Sequence, residues 1–218
     1  MIINPKLKHL HIHVPKTGGE SIEFELRSIG GWNLKGDKAL SLGKHATLLN
    51  FSRHPDLVER ISSYYKTVMI RNPWEHAVSY YRHALDKRLF LRENFFKHKG
   101  FNSFSEEEKL NLDVSFERFI KEGYNTRCQS VSTREIKEMG LVFDEWFNYD
   151  EYSNMLETFE KKFKIKIENK FRRHDKKKLD YVIEMDFNKP YQEYYNDETY
   201  EIVKKLSVNE INRFNYKF

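Results

Sequence analysis

The sequence has little of what marks secreted or membrane-spanning chains. It contains one cysteine, Cys128, so no disulfide can form within the chain, and a reducing compartment is expected. No stretch approaches the roughly 18 consecutive apolar residues that a membrane-spanning helix needs. The first residues, Met1–Lys6, lack the apolar region of a secretory signal. These absences predict a cytoplasmic protein with no membrane span.

Glycine (9 residues) and proline (5 residues) are also scarce, and they form no linker that would divide the chain. The sequence shows no internal repeat. A length of 218 residues is within the range that one hydrophobic core fills, and 39% of the residues are hydrophobic. Residues 1–218 are therefore predicted to form a single domain.

The charge is not of one sign. Thirty-eight basic and 33 acidic residues give a net charge of +5. Because the two signs are interspersed, this composition favours solubility, and no nucleic-acid partner is expected. A basic run between Lys161 and Lys178 is the exception. A solvated surface segment is its simplest interpretation, and a surface that binds an anionic polymer is the alternative.

Predicted strands alternate with predicted helices along the chain. Branched apolar residues alternate with histidine over Leu10–Val14, which predicts a strand, and Thr67–Ile70 and Leu141–Tyr149 predict two more. Helical patterns occupy Ser21–Arg27, His54–Tyr65, the segment from Pro73 onward, Phe116–Glu122, Asp150–Phe163 and Glu198–Phe214. This alternation predicts an α/β fold with a parallel sheet covered on both faces.

The turn after the first predicted strand has the features of an anion-binding site. Within His13–Ser21, two adjacent glycines let the backbone approach a ligand, and the helix that follows adds N–H groups and a positive dipole end. Lys16 supplies a full charge, and Thr17 and Ser21 supply hydroxyl groups. Lys16 precedes the glycines, so this is not a Walker A loop. Taken alone, the stretch also fits a plain Gly-Gly turn with an exposed lysine.

A second anion site is predicted where the strand Thr67–Ile70 ends. Arg71 follows the strand, Asn72 and Pro73 can cap and start a helix, and Ser79 lies eight residues beyond Arg71. An arginine suits phosphate because its planar fork donates two parallel charge-assisted bonds. The alternatives are an ion pair for Arg71 and a hydroxyl of Ser79 bonded to its own helix.

Both turns resemble motifs of one enzyme family. Ile12–Ile22 is similar to the 5′-phosphosulfate loop of sulfotransferases that use 3′-phosphoadenosine 5′-phosphosulfate (PAPS). Val68–Arg82 is similar to the 3′-phosphate motif of the same enzymes. The branch that the chain resembles is the carbohydrate-type branch, which includes heparan and chondroitin sulfotransferases and bacterial relatives. Gly43–Leu48 and the tail from Tyr191 to Tyr216 also resemble that branch.

The resemblance implies a three-layer α/β/α fold with a central parallel sheet, of the P-loop nucleoside triphosphate hydrolase-like sulfotransferase type. It implies transfer of the sulfuryl group of PAPS to a hydroxyl acceptor, expected to be a glycan or a glycosylated small molecule, with adenosine 3′,5′-bisphosphate as the second product. No metal is expected to be required, because the sulfuryl group carries less charge than a phosphoryl group.

The resemblance also implies roles for single residues. Lys16 is expected to stabilise the leaving phosphate, and the loop that binds the cofactor comprises Lys16, Thr17, Gly18, Gly19, Glu20 and Ser21. Arg71 and Ser79 are expected to bind the 3′-phosphate, and Arg173 to contact the cofactor from a later loop. Glu20 departs from the family pattern, because it places an acid where relatives often carry a small residue.

His45 is the expected general base for the acceptor hydroxyl. Related carbohydrate sulfotransferases use His or Glu for this step, and imidazole suits proton transfer near neutral pH. A loop histidine bonded to the backbone is the alternative for His45. His13 is expected to be packed or close to the cofactor, and His11 to share its face of the sheet.

Two other functions stay open on the sequence. One is a binding module that kept a nucleotide pocket and lost transfer chemistry. The other is a nucleotide kinase of the related fold, although the order of lysine and glycines in the first loop argues against it.

Overall fold

The computed structural model describes residues 1–30, 42, 45–86, 115–167 and 189–218. The chain divides into two compact units, one from Met1–Arg71 with Gln129–Arg173 and one from Asn72–Cys128 with His174–Phe218. The chain therefore leaves the first unit after Arg71 and returns to it at Gln129. That the whole chain acts as one domain stays a prediction.

The described residues form four strands and nine α-helices. The strands are β1 Ile2–Asn4, β2 His9–Ile12, β3 Tyr65–Ile70 and β4 Glu145–Asn148. The helices are α1 Gly19–Ser28, α2 Leu48–Phe51, α3 Pro55–Ser62, α4 Pro73–Asp86, α5 Phe116–Arg118, α6 Gln129–Ser132, α7 Tyr152–Phe163, α8 Asp197–Leu206 and α9 Val208–Phe214. None of these helices is long and apolar enough to cross a bilayer.

Shorter helical turns complete the described secondary structure. They are a π-helical turn at Phe119–Gly123 and 3-10 turns at Tyr124–Thr126, Lys137–Met139, Tyr149–Glu151 and Tyr191–Tyr194. The helix predicted over Phe116–Glu122 therefore changes type after Arg118. The one predicted over Glu198–Phe214 is divided at Ser207 into α8 and α9.

The sheet lies in the first unit and has the order β1-β2-β3-β4. The pairs β2–β3 and β3–β4 are parallel, which confirms the three predicted strands and a mixed α/β fold. The predicted parallel sheet is confirmed in part, because β1 pairs antiparallel to β2. The turn Pro5–Lys8 joins these two strands, with the Lys8 N–H donating to the Pro5 carbonyl at 3.2 Å. So short a connection permits only an antiparallel pair.

Helices α1 and α7 cover one face of the sheet. One buried apolar cluster joins both helices to the strands, and its members include Ile22, Leu26, Met69, Phe147, Met155 and Phe159. His9, His11 and His13 lie on this same face, since alternate residues of a strand point the same way. All three side chains are buried. The expected shared face of His11 and His13 is confirmed; coverage of both faces by helices stays a prediction.

The second unit has an aromatic core. Phe119 and Tyr124 are fully buried, and the Nδ1 of His76 lies 2.9 Å from the Tyr124 hydroxyl. The indole of Trp74 stacks on the ring of Tyr200 at 5.3 Å between centroids. Helix α4 brings Ser79 into this unit.

Candidate functional site

Three strands of the first unit end at one edge of the sheet. Ile12 pairs with Val68, and Ile70 pairs with Asn148. The loop after β2, Arg71 after β3 and Tyr149 after β4 therefore follow parallel strands at their carboxyl ends. This is the edge where open α/β sheets bind ligands.

The loop after β2 presents the N-terminus of α1. Ser21 and Ile22 donate their N–H groups to the Gly18 carbonyl at 2.9 and 3.3 Å, so the N–H groups before Ser21 have no acceptor within their own helix. Gly18, the N-cap, has a φ of 73° and no side chain to occupy that position. A ten-residue helix that begins in this way is suited to bind an anion.

Lys16 adopts a left-handed backbone conformation, with a φ of 67°. This conformation costs a lysine backbone strain, as it does at Lys8 and Lys164. The residue is half-buried, and it precedes the helix by three positions. The loop therefore carries its one full positive charge three residues before the first N–H groups of α1.

The other loop side chains differ in what they offer. The buried Thr17 donates its hydroxyl proton to the Val14 carbonyl at 2.9 Å, so its side chain braces the turn. Ser21 is half-buried on the first turn of α1, and Glu20 is exposed. Because Glu20 carries negative charge, only its backbone N–H suits an anion.

Gly19 is required by the packing of His13. A Cβ at Gly19 would lie 2.2 Å from Cδ2 of the His13 ring, well inside any real contact. The same ring is held one turn further along α1, where its Nδ1 lies 2.8 Å from Oε1 of Glu23. His13 thus joins the end of β2 to the first turns of α1.

The His13–Glu23 pair consists of a neutral imidazole and a carboxylate. Burial lowers the pKa of His13 to about 4, although the hydrogen bond to Glu23 opposes this shift. Burial tends to raise the pKa of Glu23, but the hydrogen bond from His13 and the charge of the Met1 ammonium outweigh it and lower this pKa to about 2. Near pH 7, the Nδ1–H of His13 therefore donates to a charged Glu23.

His45 lies against His13. Its ring meets the His13 ring edge-on at 4.6 Å between centroids, and its Nδ1 lies 3.3 Å from the His13 carbonyl oxygen. A carbonyl only accepts, so Nδ1 carries the proton, and Nε2 is the basic nitrogen of the neutral ring. His45 is exposed. His45 is thus a loop histidine bonded to the backbone, as the alternative interpretation predicts. The same bond leaves Nε2 as the basic nitrogen, which is what a general base needs.

Arg71 is held by two residues that the sequence did not single out. The buried side chain of Gln129 bonds both backbone groups of Arg71: the Arg71 N–H donates to Oε1 at 2.7 Å, and Nε2 donates to the Arg71 carbonyl at 2.6 Å. The guanidinium carbon lies 4.8 Å from the ring centroid of Tyr149. The same ring faces Gly18, where a Cβ would lie 3.0 Å from Cε2. Tyr149 thus contacts both strand-end segments.

The remaining predicted site residues are placed as follows. Ser79 is half-buried on α4. The start of that helix is confirmed, since Asn72 Oδ1 accepts the Trp74 N–H at 3.1 Å. Arg173 lies outside the described residues, as do Gly43, Lys44 and the part of the basic run beyond Ile167. Within the described ranges, no group of three or more His, Cys, Asp or Glu side chains could hold a metal ion.

The comparison with protein families identifies the class. The sulfotransferase family matches the chain over residues 1–217, so the chain belongs to the sulfotransferase family. No curated protein matches the chain, and no solved structure does. The family match confirms the sulfotransferase resemblance and, with it, transfer of a sulfuryl group. The mixed, mostly parallel sheet fits an α/β fold of this family.

The buried histidines behind the site predict acid sensitivity of the fold. Burial lowers the pKa of His9 from 6.5 to about 3, and the pKa of His11 also falls well below 6.5. Between pH 7 and 5 these two histidines and His13 bind protons in the unfolded chain but not in the folded chain. The free energy of unfolding therefore decreases as the pH falls. We expect the free energy of unfolding to decrease by about 1–2 kcal/mol per histidine between pH 7 and pH 5. Urea unfolding curves at the two pH values measure this decrease, which appears as a lower midpoint at pH 5.

The control for this prediction is His9→Gln, which has no imidazole to titrate. Whatever its stability at pH 7, the difference between its midpoints at pH 7 and pH 5 should be smaller than in the wild type. Equal wild-type midpoints at the two pH values would contradict the prediction. Below pH 4.5, protonation of Glu23 is expected to destabilise the fold further, because its folded-state pKa is lowered to about 2.

Proposed function

We propose that this sulfotransferase uses PAPS as its donor and transfers the sulfuryl group to a hydroxyl of a carbohydrate, either a glycan or a glycosylated small molecule. The observation that supports this most is the pairing of two anion-binding elements at one sheet edge. The Lys16 turn with the N-terminus of α1 is one element, and Arg71 is the other. Tyr149 contacts both segments. A donor with phosphate on both sides of its ribose needs two such elements.

The donor is assigned to the residues as follows. Lys16, Ser21 and the N–H groups of Gly18, Gly19 and Glu20 bind the 5′-phosphosulfate, and Thr17 keeps the turn closed through Val14. Arg71 binds the 3′-phosphate. Ser79 joins Arg71 in this role, and Arg173 contacts the donor, on the resemblance of their motifs alone. The basic run Lys161–Lys178 is left without a role in the reaction.

The proposed reaction is an in-line displacement at sulfur. The acceptor oxygen forms a bond to sulfur as the bond between sulfur and the bridging oxygen of the donor breaks, and the hydroxyl proton passes to Nε2 of His45. Negative charge grows on the bridging oxygen, where Lys16 and the N–H groups of α1 stabilise it more in the transition state than in the ground state. The products are a sulfate ester and adenosine 3′,5′-bisphosphate.

Thermal protection tests the donor site without knowledge of the acceptor. A ligand at 100 times its dissociation constant adds about 2.7 kcal/mol of stability, which corresponds to roughly 5–10 °C for a chain of this size. Adenosine 3′,5′-bisphosphate is expected to raise the melting temperature by this amount, and ADP at the same concentration by much less. Better protection by ADP or ATP would instead support a nucleotide kinase.

Product formation separates an enzyme from a binding module. With PAPS and a mixture of sugar acceptors, chromatography should detect adenosine 3′,5′-bisphosphate together with a sulfated sugar. Tight binding of the bisphosphate with no sulfated product from any hydroxyl acceptor would leave only the binding module.

A further inference from the structure

Tyr149 occupies the position from which one side chain can reach both predicted phosphate elements. Asn148 pairs with Ile70, so Tyr149 and Arg71 are the next residues of two adjacent parallel strands, which lie about 4.8 Å apart. Their side chains lie together, since the Arg71 guanidinium is stacked over the Tyr149 ring. The ring of Tyr149 is half-buried.

One face of the ring receives the guanidinium of Arg71. The distance of 4.8 Å from the guanidinium carbon to the ring centroid is within the roughly 6 Å over which a cation and an aromatic face attract. Gln129 fixes only the backbone of Arg71, and several rotatable bonds separate that backbone from the charged group. An arginine that must present its fork to a phosphate needs a second constraint at its far end.

The edge of the ring rests on Gly18. A Cβ at Gly18 would approach Cε2 of Tyr149 to 3.0 Å and Cδ2 to 3.4 Å, so the absence of a side chain there lets the ring come close. Gly18 is also the N-cap of α1, with a left-handed backbone. The position of the ring is therefore tied to the loop assigned to the 5′ side of the donor.

We propose that Tyr149 is a positioning residue that holds the Arg71 guanidinium for the 3′-phosphate and sets its position relative to the Gly18 loop. This inference rests on the proposed function, because it assigns Arg71 to the 3′-phosphate. Tyr149 acts through Arg71, so its effect is on discrimination between nucleotides that carry a 3′-phosphate and nucleotides that lack it. An aromatic face suffices for this role, and the phenolic hydroxyl is not needed.

Calorimetric titration of the full chain with adenosine 3′,5′-bisphosphate and with adenosine 5′-phosphate tests the inference. The ratio of the two dissociation constants measures the contribution of the 3′-phosphate. Tyr149→Leu is expected to reduce this ratio about 3- to 10-fold, the usual effect of losing one cation–aromatic contact. Tyr149→Phe keeps the ring face and is expected to keep the ratio. In the Arg71→Ala background, Tyr149→Leu should have no further effect on the ratio.

The outcomes distinguish this inference from the proposed function. If the wild type binds both nucleotides equally, the 3′-phosphate assignment of Arg71 fails, and the inference fails with it. If the wild type discriminates and Tyr149→Leu weakens both nucleotides to the same extent, Tyr149 only supports the fold, and the inference alone is wrong. Loss of discrimination in Tyr149→Phe also contradicts it. Should Tyr149→Leu fail to fold, Tyr149→Met, which also lacks an aromatic face, replaces it in the same comparison.

Discussion

Replacing His45 with asparagine is expected to lower kcat by about 10²–10⁴-fold, the usual contribution of a general base. The asparagine amide can still donate to the His13 carbonyl, which His45 Nδ1 contacts at 3.3 Å. It has no basic nitrogen in place of Nε2, so it cannot take the acceptor proton. The variant therefore separates the structural contact of His45 from its proposed chemistry. Steady-state assays with PAPS and a sugar acceptor give kcat, and binding of adenosine 3′,5′-bisphosphate should be nearly unchanged.

His54→Gln is the matched control for the loss of a partly exposed histidine. His54 precedes α3 and has no role in the proposed site, so kcat should be close to that of the wild type. The pH profile adds a second readout, because a rate that needs an unprotonated imidazole falls on the acid side. If His45→Asn keeps the wild-type kcat, His45 serves the loop structure only, and another group accepts the proton.

The local pattern of the sequence predicts the strands that form the site. Apolar alternation before the glycines predicts β2, and the apolar run before Arg71 predicts β3, because both patterns are set by neighbouring residues. Strand β1 is missed because its three residues, Ile2–Asn4, are too few to show a period. Its antiparallel pairing follows from the turn at Pro5–Lys8 and not from the strand itself.

The partners of the site residues are harder to predict. Gln129 bonds the backbone of Arg71 from 58 positions away, and no local signal marks a glutamine for that role. Tyr149 is different, because it ends a predicted strand. Ligands bind at the carboxyl ends of parallel strands, and this rule, which selects Arg71 after β3, also selects Tyr149 after β4. An aromatic residue at that position is a candidate because its face can hold a cation.

The loop after β2 shows what the sequence can predict and what depends on contacts within the folded chain. Its two glycines predict a turn, and Gly18 adopts the left-handed backbone expected of it. That Lys16 also adopts this backbone depends on how the whole loop closes between β2 and α1. The requirement for Gly19 has another cause, since its contact is with the ring of His13 and not with its own φ. One residue type thus serves two physical needs at adjacent positions.

Replacing Lys16 is expected to lower kcat by about 10²–10³-fold, the usual effect of losing one preoriented group that stabilises charge in the transition state. The most informative substitution is Lys16→Gly. Glycine accepts a φ of 67° without strain, so the change removes the charge and relieves the backbone at once. We expect unfolding by heat to occur at the same or a higher temperature, while kcat falls. A variant that is at least as stable as the wild type but has a lower kcat cannot owe its loss of activity to damage to the fold. Strain stored at a functional site predicts this combination.

Lys8→Gly supplies the control, because Lys8 is also a lysine with a left-handed backbone, at a φ of 48°. It lies in the turn between β1 and β2, before the strand whose far end leads to the proposed site. The same relief of strain is expected there, with no loss of kcat. If Lys16→Gly keeps full activity, the charge of Lys16 does not stabilise the leaving phosphate. The N–H groups at the start of α1 would then have to supply that stabilisation alone.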